Sequence, residues 1–267
     1  MRPEPIRAKA SFVFSRLSYR MFRFKQFTIC DDRCAMKVGT DGVLLGAWAS
    51  ADDAQHILDV GAGCGLVALM IAQRAPEAHV LAIEIDGSAA AQALENVQQS
   101  PFADRVEVLC DDFVAFAANL ETSPASTSSQ PFNPAQHYDL IVSNPPFFEE
   151  NLLPPDARRA NARHTQGGGL TFENFIASSA RLLCDGGHLQ VIIPKSAQTR
   201  FHAICTSNGL SLMRATDVQT VVRKAPKRVL LDFAKVNLSS PQYDSIVLME
   251  QGVRSEAYTR LCGDFYL

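Results

Sequence analysis

The stretch ILDVGAGCGLVALMIAQ, residues 57–73, runs from an apolar segment of strand length through Gly61-x-Gly63-x-Gly65 into a segment of helical period. Strand, turn and helix in that order open a βαβ unit. The glycines let the backbone reverse sharply and let a ligand approach it without side chains in the way. Leu66 stands where a dinucleotide fingerprint G-x-G-x-x-G has its third glycine, and Asp59 lies at the end of the strand, where it would repel a pyrophosphate. Leu66, together with the Asn-Pro-Pro-Phe turn at 144–147, speaks against a nicotinamide-dependent oxidoreductase.

Outward from this stretch the same alternation repeats. Strands are expected at 56–61, 79–85, 105–110, 138–143 and 188–194, with helices near 65–74, 87–99, 112–119, 172–183 and 195–208. Two further strands, 211–218 and 228–236, are joined by QTVVRKAPK, which is too short for a crossover helix, so they pair antiparallel. Thr171 is a candidate cap for the helix after it. Upstream, FRFKQFTI (22–29) reads as a short strand and DGVLLGAWA (41–49) as a helix with Asp41 as candidate cap.

At 267 residues and 47% apolar, the chain can bury one large core. The expected organisation is a basic flexible extension over 1–18, one domain over 19–267, and a mobile Ser/Thr/Pro-rich insertion at 121–136. No run reaches the roughly 18 apolar residues of a spanning helix, and nothing marks the chain for export, so a cytoplasmic protein without membrane association is expected. Seven cysteines without a Cys-x-x-Cys pair, and scattered histidines, suggest free thiols in a reducing compartment and no metal site.

The net charge of −3 hides local clusters. Arg2, Arg7, Lys9, Arg16, Arg20, Arg23 and Lys25 crowd the first 25 residues; Arg158, Arg159 and Arg163 form a second group, and Arg223, Lys224, Lys227 and Arg228 a third. Any one of these is ordinarily a solvated surface charge. As a set, with Phe12, Phe14, Tyr19, Phe22 and Phe24 interleaved, they make RNA a candidate partner, since phosphate contact needs only a local positive face. Arg20, Arg23, Lys25, Arg158, Arg159, Arg163 and Arg228 are the candidate contacts.

The acids fall at strand ends, the edge where open α/β sheets bind ligands. Asp59 suits an amino-acid ligand, either receiving its ammonium or organising the loop around it. S-adenosylmethionine carries such an ammonium, together with a carboxylate and a sulfonium. Glu84, about 20 residues past the loop, is placed to accept both ribose hydroxyls. Asp111 or Asp112 could accept from the adenine amine, and each could equally cap the next helix, as could Asp86.

YDLIVSNPPFFEE (138–150) ends the fourth strand on the same edge. Hydrogen bonds from a planar amine to the Asn144 side-chain oxygen and the Pro145 carbonyl would localise its lone pair and aim it at a sulfonium methyl. Pro145 and Pro146 stiffen the turn without adding N–H donors. Phe147 offers a ring for an unstacked base, worth about 1–3 kcal/mol.

The glycine loop followed by Asn-Pro-Pro-aromatic resembles the S-adenosylmethionine-dependent amino-methyltransferases, which act on N6 of adenine, N2 of guanine or protein glutamine. FKQF (24–27), DRCAMKVGTDGVLLGAWA (32–49), AAAQALENVQQSP (89–101), KRVLLDF (227–233) and SEAYTRLCGDFYL (255–267) are similar to the bacterial family that methylates N6 of adenine 37, beside the anticodon of tRNA1(Val). The likeness spans nearly everything from Tyr19 to Leu267. It implies a class I methyltransferase (Rossmann-like) fold: a seven-stranded, mostly parallel sheet with an antiparallel C-terminal strand and helices on both faces. It implies S-adenosylmethionine as cofactor, S-adenosylhomocysteine as product, a valine tRNA anticodon loop as partner and no obligatory protein partner. Asn144, Pro145, Pro146 and Phe147 would hold the target amine. Asp59, Gly61, Gly63, Gly65, Glu84, Asp112 and Asn144 would form the cofactor site, and Lys37, Thr40 and Asp41 would close over the methionine end. Phe147 stands where tyrosine is frequent among adenine-N6 enzymes; phenylalanine also occurs among guanine-N2 enzymes. The alternatives are therefore guanine-N2 of ribosomal RNA and protein glutamine N5; a catalytically silent RNA-binding scaffold is a rival of another class.

Overall fold

The structure is a computed structural model that describes residues 21–122, 137–145, 170–236 and 240–267. The expectations for the 1–18 extension, for all of the 121–136 insertion beyond its first two residues, and for Arg20, Pro146, Phe147, Arg158, Arg159 and Arg163 lie outside the described residues.

The chain opens with two short strands, Met21–Arg23 (β1) and Thr28–Cys30 (β2), paired antiparallel. A single strand over 22–29 was expected. Instead the chain turns at Phe24, whose N–H donates to the Phe27 carbonyl at 2.9 Å, and the two rings stack 4.8 Å apart in the core. Burying two aromatic rings outweighs continuing the extended chain.

A helix follows, Thr40–Trp48 (α1), and then the alternating βα core: His56–Val60 (β3), Leu66–Arg74 (α2), His79–Glu84 (β4), Gly87–Gln98 (α3), Val106–Cys110 (β5), Phe113–Thr122 (α4) and Tyr138–Ser143 (β6). Phe172–Leu182 (α5) leads directly into Leu183–Pro194 (β7), and a 3-10 turn precedes Gln198–Ser207 (α6). Thr171 caps α5, its hydroxyl accepting from Asn174 N–H at 3.2 Å. Ser211–Val221 (β8) and Arg228–Ala234 (β9) form the expected antiparallel pair. Gln242–Glu250 (β10), Val253–Arg254 (β11) and Glu256–Cys262 (α7) complete the fold.

The main sheet has nine strands in the order β11-β10-β8-β9-β7-β6-β3-β4-β5, not seven. Strands β3 to β7 run parallel, β9 opposes β7, and β10 lies parallel to β8 on its far side. The sequence does not signal the two additional strands, because β10 is only partly buried and shows no clean alternation; pairing with the edge of β8 is what makes it a strand.

Side chains alternate strictly across the central strands. Ile57, Val80, Ala82, Leu140 and Val142 pack with α1, α2, α3 and α7 on one face. Leu58, Val60, Leu81, Ile83 and Ile141 pack with α4, α5 and α6 on the other. The single tryptophan seats α1 on the sheet: Trp48 Nε1 donates to Thr216 Oγ1 at 2.9 Å, and the Arg214 guanidinium lies 3.8 Å from the ring centroid. One end of α1 is thereby fixed, which sets where its other end meets the strand tips.

Candidate active site

The turn after β3 is built by three glycines of positive φ, Gly61 (70°), Gly63 (55°) and Gly65 (81°). The N–H groups of Gly61 and Ala62 donate to the Ile83 carbonyl at 2.8 and 3.0 Å, so the loop is anchored to the tip of β4. At Gly65 a β-carbon would contact Ala93 at 3.4 Å, because this residue packs on α3. At Gly61 and Gly63 an added β-carbon would meet nothing within 4 Å. Their bare faces therefore line open space, a cradle at the strand ends.

Glu84 closes one side of that cradle. Its Oε2 accepts from Gly63 N–H at 2.8 Å and its Oε1 from Asp86 N–H at 2.9 Å. Each oxygen retains a lone pair for a ligand hydroxyl. Asp86 caps α3 through Ala89 N–H at 2.8 Å. Asp112 caps α4 through Ala115 N–H at 2.9 Å, so one of its oxygens is committed to the helix, while Asp111 accepts from Asp112 N–H.

Asp59 is 1% exposed, and its Oδ2 accepts from Ala68 N–H in the first turn of α2 at 3.0 Å. Burial, opposed by that bond and reinforced by the Glu84 charge, pushes its carboxyl up to about 7. Of its two expected roles, this geometry fits organising the loop; a side chain so buried is not available to a solvent-side ammonium.

The β6 exit lies directly beside this loop. Ser143 Oγ donates to the Val60 carbonyl at 2.6 Å. The next residue, Asn144, directs its Nδ2 toward Met36 Sδ at 3.7 Å, and a β-carbon on Gly42 would lie 3.9 Å from the same nitrogen. Protein thus occupies the amino side of the Asn144 amide. Pro145 is buried.

The 31–41 segment is held differently from expectation. Lys37 Nζ donates to the Asp31 and Asp32 carbonyls at 2.7 and 3.1 Å, so its ammonium ties its own loop. The helix begins at Thr40, which is exposed, and its cap is Gly39 without a side-chain bond. Asp41 is therefore not the cap: it sits in the first turn, where Arg228 Nε donates to its Oδ2 at 2.8 Å. Two of the RNA candidates have partners within the protein. Arg228 is compensated by Asp41, and Lys25 donates to the Gly263 carbonyl at 2.6 Å, fastening β1 and β2 to the chain end. Arg23 is exposed on β1.

Two residues outside the expected set hold the site together. Asn96 on α3 is 3% exposed; its Nδ2 donates to the Cys30 and Cys64 carbonyls, both at 2.8 Å, and its Oδ1 accepts from Cys30 N–H at 2.9 Å. Asp31, fully buried, accepts from Val38 N–H at 2.8 Å. Nothing in a polar helical residue signals contacts 32 and 66 positions away. Ser143 was legible in principle, as a polar residue inside an apolar strand.

Residues 36–208 match the methyltransferase small domain family. The chain is similar to proteins named tRNA1(Val) (adenine(37)-N6)-methyltransferase: 41% identical over 251 residues to that of Bacteroides fragilis, covering 94% of this chain and 99% of the relative. The figures are 42% over 247 residues (92% and 97%) for Bacteroides thetaiotaomicron, and 37% over 246 residues (92% and 98%) for Pseudoalteromonas translucida. Among solved structures, one titled a predicted O-methyltransferase from Agrobacterium tumefaciens superposes with a TM-score of 0.63 at 21% identity, over 84% of this chain and 96% of that one. The last likeness is one of fold.

Proposed function

From the premise that this chain belongs to the methyltransferase small domain family, we propose that it transfers the methyl group of S-adenosylmethionine to N6 of adenine 37 in tRNA1(Val). The observation that carries this reading is the adjacency of two strand tips, the glycine cradle after β3 and Asn144 after β6, bonded through Ser143 and Val60. Relatives bearing that activity in their names match over 94% of the chain, which supports the choice of reaction and substrate.

The residues present fit the cofactor. The open faces of Gly61 and Gly63 leave room for a ligand against the backbone, and Glu84 beside them has acceptor capacity for a ribose diol. Bound there, S-adenosylmethionine supplies an electrophilic methyl group on a sulfonium. Asp111 and Asp112 are the acceptors nearest in sequence to the β5 tip for the adenine amine, and the Asp112 oxygen not bonded to Ala115 is the one for that task.

Asn144 orients the nucleophile. With its amino side against Met36 and Gly42, its Oδ1 is the end left for a substrate amine proton. Accepting that proton, with the Pro145 carbonyl accepting the other, concentrates the nitrogen lone pair along the line of displacement. The methylated amine is cationic and loses a proton readily, so no strong base is required. Pro146 and Phe147 follow in the sequence, and on this reading they add stiffness and a stacking ring. We read residues 19–267 as one domain carrying the activity, in the cytoplasm where its substrate is.

Incubation with labelled cofactor and total RNA from a strain lacking the enzyme, followed by digestion to nucleosides, tests the reading. Label in N6-methyladenosine of the valine tRNA is expected. Label in N2-methylguanosine overturns it, as does unlabelled RNA when a protein extract of the same strain takes up label on glutamine.

A further inference from the structure

We propose that the β8–β9 turn, residues 222–227, is a preformed clamp for the phosphodiester backbone of the RNA beside the target base. The inference rests on the methyltransferase reading above and adds the element that grips the substrate.

The topology puts this turn at the catalytic edge. β9 runs against β7, so it starts where β7 ends, with Arg228 opposite Pro194. Ser143, at the tip of β6, is opposite Val191. Arg228 is thus two strand spacings across from Ser143 and three residues further along, about 10 Å in each direction. A base seated at Asn144 carries its neighbouring phosphates into that range.

Charge pairing separates the basic residues around the turn into two kinds. Arg228 is held by Asp41 and Lys195 by Asp217, so these two cations are already compensated. Arg223, Lys224 and Lys227 are exposed, and among the described residues none of them has an ion-pair partner. Three uncompensated cations within five residues form a local positive face on a chain whose net charge is −3.

The backbone holds them in place. Lys224 N–H donates to the Val221 carbonyl at 3.0 Å, Lys227 N–H to Val218 at 3.2 Å, and Lys195 N–H to the Lys227 carbonyl at 3.0 Å. Gln219 Nε2 closes the turn on the Lys224 carbonyl at 3.1 Å. A turn fixed at both ends presents its cations with little ordering cost on binding. Sequence-independent phosphate contact is the task this suits; the exposed Val222 at its base is a ledge beside a sugar.

The test compares the full-length protein with the triple variant Arg223→Gln, Lys224→Gln, Lys227→Gln. The unmodified valine tRNA transcript is titrated from about 50 to about 200 mM salt. Each lost contact lowers the slope of log affinity against log salt by about 0.7–0.9, so a fall of about 2–3 is expected, with KM for tRNA raised and kcat held. Calorimetric binding of S-adenosylmethionine reports that the fold is kept; the single variants Lys224→Glu and Lys227→Glu, each expected to weaken tRNA binding at least threefold, stand in if the triple variant is not folded. A slope and affinity equal to wild type overturn the proposal, as does saturation of the turn by an acidic peptide that leaves tRNA binding unaffected. Failure of the underlying reading looks different: the wild-type protein itself then methylates no tRNA.

Discussion

Ser143 Oγ donates to the Val60 carbonyl at 2.6 Å, and both residues are buried. This bond fixes the tip of β6 to the tip of β3, so the Asn144 amide and the glycine cradle keep one separation. The proposed mechanism depends on that separation, because an in-line displacement tolerates little misplacement of its partners.

Ser143→Ala strands the Val60 carbonyl in the core, at a cost of about 1–3 kcal/mol. Denaturant unfolding should register that loss. Turnover should fall more than cofactor affinity, and a variant matching wild type in both stability and kcat contradicts the role assigned to the bond.

Asn144→Ala removes the proposed amine acceptor while leaving the cradle intact. Turnover should drop by about 10²–10³ with the S-adenosylmethionine Kd within a few fold, measured by single-turnover transfer and calorimetry. Undiminished turnover would end the proposed mechanism.

Gly63→Ala adds a β-carbon where φ is 55° and nothing lies within 4 Å. The strained backbone costs about 1 kcal/mol. The new methyl group enters the cradle, so cofactor affinity should fall by tenfold or more, out of proportion to the modest change in Tm.

Asp59 gives a pH signature. Burial raises its folded-state carboxyl to about 7, from an ordinary value of 3.8. Between those values the folded state binds the extra proton, so Asp59 favours folding at low pH, and this contribution is lost as pH rises toward 7. Asp59→Asn keeps an acceptor for Ala68 N–H and does not titrate. Its stability relative to wild type should therefore improve from pH 4 to pH 8, read as the difference in denaturation midpoint; a flat difference refutes the raised carboxyl.

Asp41 and Arg228 join α1 to β9 while 35% and 41% exposed, respectively. A double-mutant cycle with Asp41→Asn and Arg228→Gln should give a coupling of about 0.5–1 kcal/mol that shrinks with added salt. No coupling would return Arg228 to the pool of free cations.

The βα alternation from residue 56 onward was legible because period-2 and period-3.6 patterns are imposed locally by one buried face or two. The central helix and strand ends fell within a few residues of expectation, with β7 starting earlier and β8 and α4 running longer. β10 was not legible, since its pairing with β8 and not its own composition makes it a strand. The aromatic pair Phe24 and Phe27 hid a turn inside what reads as one extended run.

For the site, the sequence by itself determined which candidate groups meet at one edge: three glycines after a strand, acids at strand ends, and an amide before two prolines are specified by residue type and spacing. Only the tertiary structure decided how each charge is used. It committed Asp59 to α2, Asp86 and Asp112 to helix caps, Lys37 to its own loop, and Arg228 to Asp41. The physical reason is range. Backbone conformation and burial periodicity are set by neighbours along the chain, whereas the partner of a side chain such as Asn96, Ser143 or Arg228 is whatever the folded sheet brings within about 3 Å.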